Sequence, residues 1–111
     1  IEPPFGERRP DRPHYLPLEK VYALDPYDQL TEDEQKYVIG VQGNLWTEHI
    51  ATFDHVQYML LPRMVAIAEV GWNYEGKDFD RFTTNMKRML KLYDAYGYKY
   101  AVSYWRENGK L

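Results

Sequence analysis

The spacing of apolar residues along the chain predicts two long helices. The run from Phe53 to Trp72 is apolar around most of its circumference, which favours a helix buried on more than one side. Pro62 lies inside this run and should kink the helix or split it in two. A second helix is predicted from Asp78, its N-cap, to Gly97, a glycine that ends it. Its apolar stripe repeats every three or four residues and predicts core packing: Phe79, Phe82, Met86, Met89, Tyr93 and Tyr96.

Shorter signals predict the elements around these helices. Residues 1–17 hold five of the seven prolines and are typical of a loop or linker. Pro17 can open a short helix over residues 18–23. Thr31 and Glu34 form a capping box ahead of one or two helical turns, and Thr52 is the expected N-cap of the 53–72 helix. The tail, residues 98–105, alternates in part and predicts a strand or an extended strap.

Between the short helices and the first long one, the pattern changes from helical spacing to alternation. Residues 37–41 are apolar and β-branched, which predicts a buried strand. Successive side chains of a strand point to opposite faces, so residues of equal parity share a face. The odd-numbered face is small and apolar: Ile39, Val41, Gly43 and Leu45. The even-numbered face is polar and then aromatic: Gln42, Asn44, Trp46 and Glu48.

Trp46 and Glu48 are the candidate binding residues, because ligand groups of parallel-sheet enzymes follow the carboxyl ends of strands. An indole can cover the apolar face of a sugar, and a carboxylate accepts hydrogen bonds from its hydroxyls. The spacing alone leaves an alternative, a core tryptophan beside a helix-capping or ion-paired glutamate. Arg63 and Glu69 are charges inside the apolar helix, where we expect a structural ion pair or bonds to the backbone.

Composition narrows the functional class. The net charge is −3 and no basic patch appears, which argues against a nucleic-acid surface. The chain has no cysteine, so disulfides and thiolate metal sites are excluded. No membrane-spanning run, phosphate-binding glycine loop or metal motif is present, and we expect neither a metal nor another cofactor. Because the first residue is Ile1 rather than Met, we expect the chain to be part of a longer protein.

Three blocks of sequence, in order, carry a family resemblance. The first is PLEKVY at residues 17–22, ahead of Asp25-Pro26; the second is GVQGNLWTE at 40–48; the third is YMLLPRMVAIAEVGW at 58–72. Together they resemble glycoside hydrolase family 20, the β-N-acetylhexosaminidases, over about residues 15–105. The resemblance implies an α/β fold, namely the C-terminal βα portion of a (β/α)₈ TIM barrel that is mostly helical in this fragment. Residues 18–111 would supply the last strand and two long helices.

The same resemblance implies hydrolysis of terminal β-linked N-acetylglucosamine or N-acetylgalactosamine, in a periplasmic or secreted parent enzyme. In that family the acetamido oxygen of the substrate is the nucleophile, and an adjacent Asp-Glu pair orients it and acts as acid and base. Trp46 would match the tryptophan that lines the sugar pocket, and Glu48 the glutamate that bonds the outer hydroxyls. Arg63 and Glu69 match positions that we interpret as structural.

The family's catalytic motif, His-x-Gly-Gly-Asp-Glu, is absent from this sequence, so we assign no catalytic residue. The adjacent acidic residues Asp33 and Glu34 belong to the capping box. We therefore expect a fragment that supplies the sugar-binding edge of the site and has no glycosidase activity by itself. The alternative from a different class is a noncatalytic helical module that self-associates through the 53–72 helix.

Overall fold

A computed structural model describes residues 16–102, and five α-helices order this part of the chain. They are α1 (Leu18–Tyr22), α2 (Glu32–Gln35), α3 (Phe53–Leu60), α4 (Arg63–Trp72) and α5 (Phe79–Tyr96), with a 3₁₀ turn at Tyr74–Gly76 between the last two. Residues 16–102 contain no β-strand. None of the helices in this range is both long and apolar enough to cross a membrane.

The first long apolar run forms two helices, as the position of Pro62 predicts. The helix α3 ends at Leu60 and α4 begins at Arg63, with Pro62 buried between them. Proline has no backbone N–H to donate, so the α3 hydrogen-bond ladder ends before it. The Thr52 side chain accepts a bond of 3.2 Å from the His55 backbone N–H, which confirms the predicted N-cap.

The ends of α5 also match the sequence signals. The Asp78 side chain accepts a bond of 3.1 Å from the Arg81 backbone N–H. Gly97 has a φ of 74°, a left-handed conformation that suits glycine, and its N–H donates to the Asp94 carbonyl. The capping box of α2 is present as well, since Thr31 and Glu34 bond each other's backbone N–H.

The core lies where α1 and α5 pack against α4. Its buried members come from these helices and from Leu61: Leu18, Val21, Tyr22, Leu61, Ala66, Phe82, Met86, Leu90 and Tyr93. The predicted α5 stripe is correct for its middle and wrong at its end. Tyr96 is 67% exposed, because it lies at the last helical position, where its ring stacks on Tyr98 instead of entering the core.

The predicted buried strand over residues 37–41 is wrong. Tyr37 is largely exposed and Ile39 is fully exposed, and neither lies in a strand. A strand is stabilised by hydrogen bonds to a neighbouring strand and by burial of its apolar face. Residues 16–102 supply no strand with which this β-branched run could pair, so its strand propensity is not enough to form a strand.

Residues 98–102 form the strap that was one of two alternatives for the tail. The Lys99 backbone N–H donates to Gln57 Oε1 at 3.1 Å, and the Ala101 N–H donates to the Leu61 carbonyl at 2.9 Å. These bonds attach the tail to α3 and to the junction before α4. The rest of the predicted tail, 103–105, and residues 1–15 of the predicted linker lie outside the described residues.

Candidate functional site

The candidate site begins where the segment of residues 40–48 lies against α4. A Cβ on Gly43 would stand 2.5 Å from Ile67 Cδ1, and one on Gly71 would stand 3.0 Å from Val41 Cγ2. These distances show that the segment passes close to the helix surface. Val41 and Leu45 are half-buried there. The two glycines permit this approach, because a side chain at either position would meet the opposite element.

The same contacts fix the direction of the segment. Val41 lies at Gly71, near the end of α4, and Gly43 lies at Ile67, about one turn earlier in the helix. Two extended residues cover about 7 Å and four helical residues about 6 Å, so the two paths match in length. The segment therefore runs antiparallel to α4, and its later residues lie toward the start of that helix.

The alternation predicted for this segment holds only in part: Val41 and Leu45 are half-buried, but Ile39 and Gly43 of the same predicted face are exposed, and no strand forms. The even-numbered side chains Gln42, Asn44, Trp46 and Glu48 are all exposed, and Trp46 is 75% exposed. Gln42 Nε2 donates to Asn44 Oδ1 at 2.8 Å, so these amides share one face. Trp46 is thus not a core residue of the described structure.

An exposed indole followed two residues later by a carboxylate presents a flat apolar surface and a hydrogen-bond acceptor. Such a pair can bind a ligand that has a C–H face and hydroxyl groups. His49 is also exposed but follows Glu48 in the turn closed by the Ile50 N–H and the Thr47 carbonyl, 3.1 Å apart. No cluster of three or more metal-ligating side chains occurs between residues 16 and 102.

Arg63 binds backbone carbonyls at the junction of α3 and α4. Its Nε donates to the Leu16 carbonyl and its Nη1 to the Met59 carbonyl, each at 3.0 Å. Burial lowers the pKa of Arg63 to about 10, so the guanidinium remains charged at neutral pH. The Met59 carbonyl belongs to the last turn of α3, where a cation complements the helix dipole.

Glu69 links three elements from the middle of α4. Its Oε1 lies 3.8 Å from Arg81 Nη2 on α5, an ion-pair distance. The pKa of Tyr22 is raised to about 12; burial is the larger cause, and a hydrogen bond to Glu69 is the second. The Tyr22 hydroxyl also accepts a bond of 2.7 Å from the Asp78 backbone N–H. Glu69 and Tyr22 therefore join α1, α4 and the start of α5.

A second feature was not predicted from the sequence. Tyr74 donates its hydroxyl hydrogen to Asp25 Oδ1 at 2.8 Å, although the two residues are 49 positions apart. They line an open cleft at the far end of α4, together with Tyr27 and Trp72. The only local signal was the turn chemistry of Asp25-Pro26, which predicts where a helix ends and not which residues meet there.

Comparisons with known proteins agree on one family. The model of the glycosyl hydrolase family 20 catalytic domain matches residues 5–75. A beta-hexosaminidase of Porphyromonas gingivalis is 37% identical over 90 residues, which are 79% of this chain and 12% of that protein. A beta-N-acetylhexosaminidase of Cellulomonas fimi is 29% identical over 90 residues, 80% of this chain and 18% of that protein.

A beta-hexosaminidase of Akkermansia muciniphila is 39% identical over 73 residues, which cover 66% of this chain and 14% of that protein. The chain therefore spans less than a fifth of the length of each of these three relatives. The family-model match, residues 5–75, includes the 40–48 segment and α4.

Proposed function

This chain belongs to glycosyl hydrolase family 20, and from that premise we propose that it forms the last βα unit of the family's (β/α)₈ barrel. Residues 18–111 are the barrel segment in this proposal, and residues 1–17 connect it to the preceding part of the enzyme. The parent protein hydrolyses terminal β-linked N-acetylglucosamine or N-acetylgalactosamine. This chain contributes the sugar-binding edge of the site.

The observation that carries the proposal is the antiparallel course of residues 40–48 along α4. In a βα unit the helix returns antiparallel to its strand, with the apolar side of the strand against the helix. The contacts of Gly43 with Ile67 and of Val41 with Gly71 support that arrangement. The backbone groups of residues 37–41 would then pair with a neighbouring strand of the barrel rather than with water.

Trp46 and Glu48 would lie at the ligand-binding end of this strand. Barrel enzymes place their ligand groups at the carboxyl ends of strands, and these residues follow the contacts with α4. In the proposal the Trp46 indole covers the apolar face of the N-acetylhexosamine ring. Glu48 accepts hydrogen bonds from its outer hydroxyls, which a carboxylate does more strongly than a neutral acceptor.

The reaction we propose is substrate-assisted and retaining, with the acetamido oxygen as nucleophile. Its Asp-Glu pair would come from the part of the enzyme that precedes this chain. The adjacent residues Asp33 and Glu34 do not fit that role, because Glu34 Oε1 accepts a bond of 3.0 Å from the Thr31 N–H in the cap of α2. The isolated chain therefore has no glycosidase activity in this proposal. Arg63 and Glu69 position α3, α4 and α5 and do not contact substrate.

Kinetics of the parent enzyme test the two binding residues. Trp46→Ala and Glu48→Gln should each lower kcat/KM for an aryl N-acetyl-β-glucosaminide by about ten- to hundredfold. This is the loss expected when one strong contact with the sugar is removed. The matched control is His49→Gln, an exposed neighbour that should retain kcat/KM. Unchanged kinetics in both site variants, with helix content preserved, would contradict the assignment.

One observation favours a second candidate, the self-associating helical module. Phe53 and Met64 are 72% and 52% exposed along the α3–α4 run, although both are large and apolar. Such residues can mark an interface. In a module of this kind, Met64→Glu would abolish association measured by light scattering, while Trp46→Ala would leave it unchanged. A monomeric chain at high concentration would exclude this candidate.

A further inference from the structure

An open cleft of about 620 Å³ lies at the C-terminal end of α4. The segment that carries Trp46 runs toward the other end of this helix. The cleft is lined by the turn before α2, by α2, by the last residues of α4 and by the residues that follow them, among them Asp25, Tyr27, Gln35, Trp72, Asn73 and Tyr74. Three of these six are aromatic, and the other three carry carboxylate or amide oxygens. The volume suits a ligand of one or two sugar rings.

One wall of the cleft is held by contacts between distant parts of the chain. Asp25 Oδ1 accepts from the Tyr27 N–H at 2.9 Å and from the Tyr74 hydroxyl at 2.8 Å. The Tyr27 and Tyr74 rings meet edge to face, with centroids 5.0 Å apart. This wall is therefore built before any ligand arrives.

Lys77 supports the wall from behind. Its Nζ donates to the Tyr22 carbonyl at 3.2 Å and to the Leu24 carbonyl at 3.1 Å, and it lies 5.2 Å from the centroid of the Tyr74 ring. The ammonium group is thus engaged by the end of α1. The cleft offers acceptors and no uncommitted cation among the residues that line it, which disfavours an anionic ligand.

Trp72 supplies a flat apolar surface to the same cleft. Its side chain is 93% exposed at the last position of α4, so it contributes little to the described core. Asp25 adds a charged acceptor, because its bonds to the Tyr27 N–H and the Tyr74 hydroxyl hold the pKa of this carboxyl below its usual value. Both of these bonds use Oδ1, and a carboxylate has acceptor sites on each oxygen.

We propose that this cleft is a second glycan-binding site, which takes a pyranose ring of an N-acetylhexosamine oligosaccharide. Trp72 covers the apolar face of the ring, while Asp25 and Gln35 accept and donate hydrogen bonds at its hydroxyl and acetamido groups. The ligand class rests on the family membership and on this combination of an indole with acceptors. The proposal does not depend on Trp46 or Glu48, since it uses the other end of α4.

The test is a titration of the 111-residue chain with N,N′-diacetylchitobiose, followed by ¹H–¹⁵N NMR. The chain has three tryptophans, so its three indole N–H signals can be assigned by single Trp→Phe substitutions. We expect the Trp72 signal to move in the wild-type chain and equally in Trp46→Phe. In Asp25→Asn, with helix content checked by circular dichroism, the shift at a given ligand concentration should be lost or much reduced.

The outcomes separate this site from the proposed function. Movement of the Trp46 signal alone would support the edge site and overturn the second site. A Trp72 signal that stays fixed up to about 20 mM disaccharide, well above a millimolar Kd, would overturn it as well. The same titration in the parent enzyme gives a further outcome. If the disaccharide shifts the Trp72 indole signal in the isolated chain but not in the parent enzyme, the cleft is a contact surface inside the parent and the inference is wrong.

Discussion

The helical core and the 37–48 segment are next to each other in the chain and differ in what holds them. The core residues of α4 and α5 are almost fully buried, with Ala66, Val70 and Met86 at 1% exposure or less. The segment lies against α4 at Val41 and Gly43, while Ile39 and Trp46 remain exposed. The difference separates a part of the chain that buries its apolar side chains from a part that leaves two of its large apolar side chains exposed.

This difference has a physical origin. A helix satisfies its backbone hydrogen bonds within itself, so α4 and α5 need only one apolar surface to pack against. A strand must satisfy its backbone groups with another strand. We therefore attribute the exposure of residues 37–41 to the missing barrel neighbours that the proposed function requires, and the following predictions test that contrast.

The largest effect should come from the core. Phe82→Ala removes a ring that is 3% exposed and lies tilted against the Tyr22 ring, with centroids 4.8 Å apart. We expect a loss of about 3–5 kcal/mol in the free energy of unfolding, because the surrounding helices cannot fill the cavity. Urea denaturation would measure it. Leu92→Ala, on the exposed side of the same helix, is the control and should cost less than about 1 kcal/mol.

The next effect concerns the contact between the segment and α4. Gly43→Ala places a Cβ 2.5 Å from Ile67 Cδ1, so the isoleucine must rotate or the segment must move away. We expect a cost of about 1 kcal/mol in the free energy of unfolding. Gly40→Ala is the matched control, because nothing lies within 4 Å of its Cβ position. Equal stability of the two variants would show that the segment does not pack on α4.

A similar cost is expected at the end of α5, for a reason confined to the backbone. Gly97 has a φ of 74°, and nothing lies within 4 Å of the position of its Cβ. Gly97→Ala should therefore lower the unfolding free energy by about 1 kcal/mol through conformational strain alone. Calorimetry would show the change as a lower Tm. A variant as stable as the wild type would mean that α5 ends in another conformation.

The last effect, of similar size, is a dependence on alkaline pH. The pKa of Tyr22 is raised to about 12 in the folded chain, so its contribution to stability is complete below pH 10 and lost as the pH rises to about 12. Tyr22→Phe should flatten that part of the stability curve and cost about 1 kcal/mol at neutral pH, because the Asp78 N–H loses its acceptor. Tyr96→Phe, at an exposed position, should change neither.

Local chemistry made most of the helical structure predictable. Pro62, the Thr31 capping box and Gly97 act within one turn of the chain, and each had the predicted effect on a helix end. The strand could not be judged in this way, because its formation depends on hydrogen-bond partners elsewhere. The β-branched residues 37–41 indicate that the segment favours an extended conformation. They do not indicate whether a second strand is present to pair with it.

The two candidate sites also differ in whether their residues are close together in the sequence. Alternation within a single segment predicted that Trp46 and Glu48 share a face, and it left open whether Trp46 is a core residue. The cleft at Asp25, Tyr74 and Trp72 joins residues 47 or more positions apart along the chain, so no spacing pattern could have indicated it. The contacts of Arg63 with the Leu16 and Met59 carbonyls were among the expected alternatives, although the sequence could not identify the partners.

The central proposal is that this chain supplies the sugar-binding edge of a hexosaminidase barrel and does not hydrolyse the substrate by itself. The most direct test measures hydrolysis of an aryl N-acetyl-β-glucosaminide by the 111-residue chain and by its parent protein under the same conditions. We predict turnover by the parent and none by the chain. Turnover by the chain that depends on Trp46 would contradict the account, and so would a parent protein without activity.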